Sequence, residues 1–185
     1  INEEGNQICE IVVFDKDVQP HLFCYVQRFY EKIYSNFIAA FENKAVLRFG
    51  LNIPILSGIF KKKLKEAAGF GDLKFAISGA APINPDILAL FQKLDIPLFE
   101  GYGMTENTAG ATLNYLGHNR IGSVGKALPN TEIKIANEGE VMIQGDHVMK
   151  GYYKNPEATT ETLVDRWLHT GDIGKLDSDG YLYIT

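Results

Sequence analysis

The segment 73–106 constrains the fold more than any other part of this sequence. An apolar strand, 73–78, leads through small residues into a helix that Asn84 caps, and a second apolar strand, 96–99, follows. Two strands joined through a helix form a βαβ unit, whose strands are parallel and whose crossover is right-handed. Both strands then end at the same edge of the sheet. The small-residue loops that follow them are therefore expected side by side, where open α/β sheets bind ligands.

Further elements are predicted upstream of this unit from the spacing of apolar residues. Residues 22–26 are predicted to form a strand, and residues 28–44 to form a helix. A loop at 52–58 is predicted before a basic helix at 59–68. The segment 11–14 is a candidate for a short buried strand.

The pattern changes after about residue 121 to short alternating segments separated by turn residues. The predicted elements there are strands at 131–136, 140–144, 167–168, 173–176 and 181–184, a hairpin turn at 137–139, and a short helix from Asn155. The fold class is therefore predicted as α/β. A parallel βαβ portion at 1–120 is followed by a mostly antiparallel β subdomain at 121–185.

Composition excludes several other classes of protein. Hydrophobic residues make up 45% and charged residues 22% of the 185 residues, a balance typical of a globular domain. The formal net charge of −5 gives no general attraction to nucleic acid, and no apolar run approaches the ~20 residues of a membrane span. Cys9 and Cys24 neighbour apolar, strand-like residues, so buried reduced thiols and a reducing compartment are expected. The chain begins at Ile1 rather than Met, so this is not expected to be a natural N-terminus.

The first candidate binding loop is Ser78-Gly79-Ala80-Ala81-Pro82. Residues without bulky side chains let a flat ligand lie directly against the backbone, whose amides can hydrogen-bond a base. Taken alone, the motif is explained more simply as a tight turn between a strand and a helix, because single short motifs are weak signals.

The second candidate loop, residues 100–106, carries more chemistry. Its aromatic residue, Tyr102, lies between two glycines, which suits a ring stacked on a planar base with the backbone close by. Thr105 offers a hydroxyl to a phosphate, and Glu106 offers a hard carboxylate oxygen to Mg²⁺. A donor and a metal ligand thus adjoin at the ligand-binding edge of the predicted sheet. This juxtaposition favours a binding site over a solvated turn.

The third candidate is Asp172, which follows a tight glycine turn in His169-Thr170-Gly171-Asp172. The two oxygens of its carboxylate could accept both hydroxyls of a ribose diol. Without further context, a β-turn with Asp172 as a local cap is the simpler interpretation.

Other apparent motifs do not predict sites. Segment 122–126 resembles a P-loop, but Arg120 and Ala127 stand where that motif needs a glycine and a Ser or Thr, so a turn into the β subdomain is predicted. The lysine cluster within 61–65 is better explained as a solvated helix face than as a membrane-surface contact. The histidines and cysteines lack the spacing of zinc ligands, and no hydrolase nucleophile elbow occurs.

In this order and spacing, the motifs resemble those of the adenylate-forming (AMP-binding) superfamily, which includes acyl-CoA synthetases, peptide-synthetase adenylation domains and luciferases. The similar segments are 75–83, 100–106, 139–153 and 167–174. Four ordered motifs are far more specific than one. Upstream, segment 19–34 is similar to long-chain fatty acyl-CoA ligases, although Gln27 stands where those proteins usually have proline. The resemblance implies part of an acyl-CoA synthetase-like large domain.

The resemblance also implies roles for individual residues. The implied nucleotide-binding residues are Gly79, Ala80, Ala81 and Pro82 at the adenine, Tyr102 along the base, Asp172 at the ribose, and Glu100, Gly101, Gly103, Met104 and Thr105 in the central loop. Gly103 would border the acyl carbonyl. Thr105 would hold the α-phosphate and Glu106 would bind Mg²⁺, which makes these two the implied catalytic residues.

The implied reaction is an acyl transfer in two steps. A fatty-acid carboxylate attacks the α-phosphate of ATP to give an acyl-adenylate and pyrophosphate, and the CoA thiol then displaces AMP. The site would contribute positioning and charge stabilisation rather than a covalent nucleophile. The implied partners are fatty acid, ATP, CoA and Mg²⁺. This substrate class suggests a cytoplasmic protein, with peripheral contact at the inner membrane face as a further expectation.

Two other functions stay open from the sequence. The protein could load the acyl group onto a carrier protein as an acyl-AMP ligase or adenylation domain, or it could be a non-catalytic nucleotide- or acyl-binding module. The Ser/Thr/Gly-rich phosphate loop of the superfamily is absent from the sequence, as is the C-terminal lid domain with its catalytic lysine. The 185-residue chain alone is therefore expected to be inactive in adenylation.

Overall fold

The computed structural model describes residues 20–43 and 54–185, which form two β-sheets and the helices packed against them. The predicted strand at 11–14 and the predicted buried thiol of Cys9 lie outside the described residues. No helix among the described residues has the length and apolarity that crossing a membrane requires.

The first sheet begins with three parallel strands, of which the sequence predicts the second and third as a parallel pair. In the described chain its strands are β1 (Leu22–Val26), β2 (Phe75–Gly79), β3 (Leu98–Tyr102), β4 (Thr112–Leu113) and β5 (Lys126–Ala127), in that spatial order. The pairs β1–β2 and β2–β3 are parallel, whereas β4 and β5 continue the sheet in antiparallel fashion. The predicted βαβ unit is confirmed. The two short antiparallel strands were not predicted.

Four α-helices occur in the described residues. They are α1 (Gln27–Asn43), α2 (Pro54–Ala67), α3 (Pro85–Lys93) and α4 (Pro156–Thr162), and a single 3-10 turn covers Thr105–Asn107. The predicted loop at 52–58 is wrong where it is described, because α2 already begins at Pro54. Proline is favoured in the first turn of a helix, where its missing N–H leaves no hydrogen bond unmade.

Helix α3 forms as predicted, and its N-terminus shows why. The Asn84 side chain accepts a hydrogen bond from the backbone N–H of Asp86 at 2.8 Å, and Pro85 occupies the first helical position. Ile87, Leu88 and Phe91 on one face of the helix are buried against the first sheet and its neighbours. The helix thus returns the chain from β2 to the start of β3.

The first core lies between these helices and the sheet, and it is strongly aromatic. Tyr30 on α1 and Phe70 before β2 are both fully buried, and each packs on the ring of Phe91. The Tyr30 hydroxyl donates to the carbonyl of Ile77 on β2 at 2.9 Å, so the buried polar group is satisfied. Burial raises the pKa of Tyr30 well above its ordinary value. This contact fixes α1 against the strand that leads into the site.

The second sheet is antiparallel throughout its described strands. These are β6 (Thr131–Ile135), β7 (Glu140–Gly145), β8 (Leu163–Val164), β9 (Trp167–Leu176) and β10 (Leu182–Ile184), in the order β10-β9-β7-β6 with β8 on β9. The predicted hairpin at 137–139 is confirmed. The prediction of two strands separated by a turn at Gly171 is wrong, because β9 runs continuously through that glycine. The register against β7 shifts there, which makes the segment a bulge.

The segment 120–127 joins the two sheets. Val124 N–H donates to the carbonyl of Leu182 at 2.8 Å, and Leu182 N–H donates back to the carbonyl of Gly125 at 2.9 Å. The guanidinium of Arg120 hydrogen-bonds Asp177 and lies 4.2 Å from the ring centroid of Tyr181. A turn occurs at 121–122 as predicted, but the segment leads into β5 of the first sheet, so the prediction that it leads into the β subdomain is wrong.

Cys24 differs from its predicted environment. The thiol is free, but it is exposed rather than buried, because Cys24 lies on the face of β1 that opens into the cavity described below. The apolar neighbours in sequence belong to the other face of the strand, where Phe23 and Tyr25 pack against the first core.

Candidate functional site

A cavity of about 900 Å³ opens at the carboxyl edge of the parallel strands, where the βαβ geometry places the binding edge. Eight of the predicted site residues line it, namely Gly79, Ala80, Gly101, Tyr102, Gly103, Met104, Thr105 and Glu106. The two predicted loops therefore do meet, although they are about twenty residues apart in sequence. A volume of this size suits a ligand of nucleotide or drug dimensions.

The floor of the cavity is nearly bare backbone, because glycines lie side by side on β2 and β3. A β-carbon built on Gly79 would lie 3.7 Å from the carbonyl oxygen of Gly101. A β-carbon on Gly101 would lie 3.1 Å from a methyl group of Leu113 on the neighbouring strand β4. Larger side chains would fill this floor, so the small residues keep a flat surface open for a ring. Glu100 to Tyr102 belong to β3, not to a loop as the sequence pattern suggests.

The segment after β3 turns back tightly on itself at Gly103. A β-carbon on Gly103 would lie 2.4 Å from the carbonyl carbon of Ala109, closer than real atoms approach. The buried side chain of Asn107 accepts from the N–H of Met104 at 2.8 Å, and Ala109 N–H donates to the Met104 carbonyl at 2.9 Å. Thr108 and Ala109 both have left-handed φ values, 59° and 62°. Such backbone persists only where surrounding contacts hold it.

Thr105 and Glu106 lie on the 3-10 turn at the cavity rim. The Thr105 side chain is exposed, and Glu106 is half-buried. One oxygen of the Glu106 carboxylate, Oε1, accepts a hydrogen bond from the hydroxyl of Tyr152 at 2.8 Å. The carbonyl of Glu106 accepts from the N–H of Met149 at 2.7 Å. The carboxylate is therefore held at the rim by residues from the second half of the chain.

Tyr102 connects the cavity to Asp172. Its ring lines the cavity, and its hydroxyl donates to Oδ2 of Asp172 at 2.6 Å. Burial raises the pKa of Tyr102, and the hydrogen bond to Asp172 raises it further, so the phenol is protonated at neutral pH. Asp172 comes from β9 of the second sheet, 70 residues away in sequence. The structure thus brings the third candidate into contact with a residue of the cavity wall, although Asp172 is not itself among the lining residues.

Glu140 holds the bulge that carries Asp172. Its Oε1 accepts from the N–H of Gly171 at 2.9 Å, and its Oε2 lies 2.8 Å from Nδ1 of His169. The Thr170 hydroxyl also donates to the Val141 carbonyl at 2.7 Å. Partial burial would raise the pKa of Glu140, but the Gly171 and His169 contacts outweigh it and lower the pKa below the ordinary value. The ionised carboxylate is thus the favoured form.

Three predicted residues of the two loops do not line the cavity. The carboxylate of Glu100 is buried at 7% exposure and accepts from the N–H of Ile83 at 3.2 Å. Burial raises the pKa of Glu100, although backbone hydrogen bonds from Ile83 and Gly122 oppose the change. Ala81 and Pro82 lie on the exposed side of the loop. Glu100 therefore supports the loop from beneath, and these three residues are not among those lining the cavity.

Other lining residues were not predicted, and most of them are apolar. They are Cys24, Tyr25, Val26, Ile77, Ala109, Gly110, Thr112, Leu113 and Leu128. The sequence predicts the strand at 22–26. It does not show that this strand is the neighbour of β2, so it does not predict that Cys24, Tyr25 and Val26 line the cavity. The contacts from Tyr152 and Glu140 were likewise missed, since each depends on pairing across long sequence separations.

The donor set at the rim is compatible with Mg²⁺. Among the residues that the structure describes, no group of three or more His, Cys, Asp or Glu side chains could hold a metal by itself. Glu106 offers a single hard carboxylate beside an open cavity. This arrangement suits Mg²⁺, which binds through one or two carboxylates and fills its remaining positions with phosphate oxygens and water.

Residues 13–153 match the family described as "AMP-binding enzyme". A putative fatty-acid–CoA ligase of Mycobacterium tuberculosis is 49% identical over 123 residues, which cover 66% of this chain and 22% of that protein. Long-chain-fatty-acid–CoA ligase 6 of Homo sapiens is 36% identical over 184 residues, covering 86% and 26%. The 2-succinylbenzoate–CoA ligase of Listeria innocua is 36% identical over 137 residues, covering 71% and 29%. The chain thus spans less than a third of the length of these relatives.

Solved structures give the same fold. The crystal structure of the N-terminal domain of FACL13 from Mycobacterium tuberculosis superposes with a TM-score of 0.63 at 26% identity, covering 91% of this chain and 39% of that domain. An O-succinylbenzoate coenzyme A synthetase from Bacillus subtilis in complex with AMP gives a TM-score of 0.64 at 24% identity, covering 90% and 31%, which supports the fold alone. Given the family match across most of its length, this chain belongs to the AMP-binding enzyme family.

Proposed function

We propose that the protein to which this chain belongs activates a fatty acid with ATP and Mg²⁺ as an acyl-adenylate, and then transfers the acyl group to CoA. The family assignment and the fatty-acid–CoA ligases among the relatives support this proposal. In this proposal, residues 1–120 and 121–185 are portions of the large nucleotide-binding domain. A cytoplasmic location with peripheral contact at the inner membrane face is proposed from the substrate class alone.

The observation that carries the proposal is the double role of Tyr102. Its ring forms part of the cavity wall next to the glycine floor, where a flat base would lie. Its hydroxyl holds Oδ2 of Asp172, and the other carboxylate oxygen would accept from a ligand's hydroxyl groups. A base and a ribose diol are adjacent in a nucleoside. One residue thus supports both halves of that ligand.

The phosphate side of the site follows from the next residues along the chain. Thr105 would donate its hydroxyl to an oxygen of the α-phosphate, and Glu106 would hold Mg²⁺, which supplies charge neutralisation when bound. In the first step the carboxylate oxygen bonds to the α-phosphorus while the bond to pyrophosphate breaks. In the second step the CoA sulfur bonds to the acyl carbon while AMP leaves. The residues of this chain would position the reactants and stabilise charge.

The acid would enter along the apolar wall of the cavity. Tyr25, Val26, Leu113 and Leu128 offer hydrocarbon surface, and Gly103 lines the cavity where the acyl carbonyl would lie. This surface supports an apolar acid. A fatty acid is proposed on the names of the 49% and 36% identical relatives, whereas the succinylbenzoate ligase makes an aryl acid the alternative to test.

Calorimetric titration of the chain with ATP and Mg²⁺ tests the nucleotide site. We expect binding in the parent, loss of most affinity in Asp172→Ala, and loss of the Mg²⁺ dependence in Glu106→Ala. Tyr115→Phe is a control, because its ring packs on His118 away from the cavity. Equal affinity for ATP in the parent and in Asp172→Ala would contradict the proposed site.

The acid substrate is tested separately with the protein that contains this chain. Acid-dependent exchange of pyrophosphate into ATP is measured with medium-chain and long-chain fatty acids and with aryl acids such as succinylbenzoate. We expect the fatty acids to support the fastest exchange. Faster exchange with an aryl acid would overturn the fatty-acid assignment and leave the nucleotide site intact.

A further inference from the structure

The loop 147–152, here called the clasp loop, contacts the 3-10 turn that carries Glu106 at three points. His147 accepts at its carbonyl from the Thr108 hydroxyl at 2.8 Å, and Met149 N–H donates to the Glu106 carbonyl at 2.7 Å. The third contact is the hydrogen bond from the Tyr152 hydroxyl to the Glu106 carboxylate at 2.8 Å. The Met149 contact fixes the backbone of the turn, and the Thr108 contact holds the residue that directly follows it. The side-chain contact fixes the carboxylate itself.

Tyr152 is itself held firmly by helix α4. Its N–H donates to the hydroxyl of Thr159 at 2.9 Å, and that hydroxyl donates to the carbonyl of Asn155 at 2.8 Å. Gly151 has a φ of 146°, and a β-carbon there would lie 2.6 Å from a methyl carbon of Thr159. Only glycine permits this close approach of loop to helix. The backbone position of Tyr152 is therefore set by the fold of the second half of the chain.

The hydroxyl of Tyr152 is a donor under ordinary conditions. A tyrosine hydroxyl is protonated at neutral pH, so Tyr152 donates this hydrogen bond and the carboxylate of Glu106 accepts it. It engages Oε1 of Glu106 alone, and a carboxylate has a second oxygen with lone pairs of its own.

We propose that Tyr152 is a positioning residue for metal binding, which holds one oxygen of Glu106 so that the other faces the cavity as a Mg²⁺ ligand. The inference rests on the proposed function of Glu106. A glutamate at the rim of a cavity samples several rotamers, and ordering it on metal binding costs side-chain entropy. The hydrogen bond from Tyr152 orders the carboxylate in advance, as supporting residues commonly do for metal ligands.

Metal affinity measured by two methods tests the proposal. Mn²⁺ is titrated into the protein with saturating ATP and free Mn²⁺ is followed by electron paramagnetic resonance, while calorimetry gives ATP affinity at saturating Mg²⁺. Removing one hydrogen bond in Tyr152→Phe is expected to weaken Mn²⁺ binding about 3- to 10-fold. ATP affinity at saturating Mg²⁺ is expected to stay within about twofold of the parent, a split that a general loss of structure would not produce.

Two further variants sharpen the result. Tyr153→Phe is the matched control, because Tyr153 is the neighbouring tyrosine and is 88% exposed; its Mn²⁺ affinity should equal that of the parent. In the Glu106→Gln background, Tyr152→Phe should add no further loss, because the two residues act through one contact.

The failures of the two proposals are distinguishable. If Glu106→Gln weakens Mn²⁺ binding and Tyr152→Phe does not, the inference about Tyr152 is overturned while Glu106 keeps its proposed role. If Glu106→Gln leaves Mn²⁺ binding unchanged, the metal role of Glu106 fails, and the inference fails with it. Additive losses in the double variant would also overturn the inference, because they would place Tyr152 on another route to the metal.

Discussion

At the scale of single residues, the site depends on side chains that have two tasks at once. Tyr102 presents its ring to the cavity and its hydroxyl to Asp172, and Glu140 holds both the N–H of Gly171 and the ring of His169. The sequence indicates the first task of Tyr102 from its flanking glycines. It does not indicate the second, because the partner lies 70 residues downstream.

Tyr102→Phe separates the two tasks, since it keeps the ring and removes the hydroxyl. We expect ATP affinity to fall about 2- to 10-fold, the effect of one hydrogen bond, by calorimetry at fixed Mg²⁺. Asp172→Ala should cost about 10- to 100-fold, because it removes a charged acceptor. A larger loss in Tyr102→Phe than in Asp172→Ala would mean that the phenol contacts the ligand directly.

The lowered pKa of Glu140 predicts that the stability of the fold depends on pH. Its folded pKa is lowered, so its ionised form contributes stability that is present above the ordinary glutamate pKa and is lost as pH falls through the lowered folded value. Melting temperatures of the parent and of Glu140→Gln should therefore differ at pH 7 and converge as pH falls below about 4.5. A difference that stays constant from pH 7 to pH 4 would contradict this role for the carboxylate.

At the scale of elements, local chemistry predicts some features and fails for others. The βαβ unit is predictable because strand, cap and helix each have their own signal between Phe75 and Tyr102. The continuous strand β9 is not, because Gly171 and Asp172 have the composition of a turn. Their conformation is decided by Glu140 across the sheet. Strands of two residues, such as β4 and β5, are too short for alternation to be recognised.

The tight turn after β3 leaves no room for a side chain at Gly103. In Gly103→Ala the new carbon would meet the backbone of Ala109, so we expect a loss of about 1–3 kcal/mol in the free energy of unfolding and loss of ATP binding. Gly58→Ala is the matched control, because open space surrounds that position in helix α2. Urea denaturation should show a gain of about 0.5–1 kcal/mol there. Similar stabilities of the two variants would refute the steric argument.

At the scale of the whole molecule, the site exists only where the two sheets meet. Glu106 and the glycine floor belong to the first sheet and its following turn, whereas Asp172 belongs to the second sheet. The sequence predicts both the fold class and the shared edge of the two glycine-rich segments. It does not predict how the sheets are joined, since the pairing of Val124 with Leu182 has no local signature.

The contacts of Arg120 hold the junction of the two sheets, so we expect a change at Arg120 to affect both stability and the site. Arg120→Gln removes the ionic contacts to Asp177 and Asp179 and the contact over the Tyr181 ring, so the melting temperature should fall. The fall should be smaller at high salt, because exposed ion pairs are screened. ATP affinity should also fall, although Arg120 does not line the cavity. Lys62→Gln, which removes one exposed pair on helix α2, should change neither quantity.

Asp177, which bonds Arg120 at the junction of the two sheets, gives a second prediction about how stability depends on pH. Desolvation would raise its pKa, but hydrogen bonds from the Tyr181 N–H and the Arg120 guanidinium outweigh it, and the pKa is lowered. Its contribution to stability is present above the ordinary aspartate pKa and is lost as pH falls through the lowered value. Asp177→Asn should therefore lower the melting temperature at pH 7 and have little effect in strong acid, as scanning calorimetry can measure.

Two phenol–carboxylate hydrogen bonds cross between the halves of this chain in opposite directions, Tyr102 to Asp172 and Tyr152 to Glu106. Each half of the chain thus contributes one tyrosine whose hydroxyl donates to a carboxylate of the other half. If the halves separated, both phenols would lose their carboxylate acceptors together, and their near-ultraviolet absorption and circular dichroism would change together. The molecule therefore carries an intrinsic optical reporter of its own closure, which needs no attached dye and no substrate to be read.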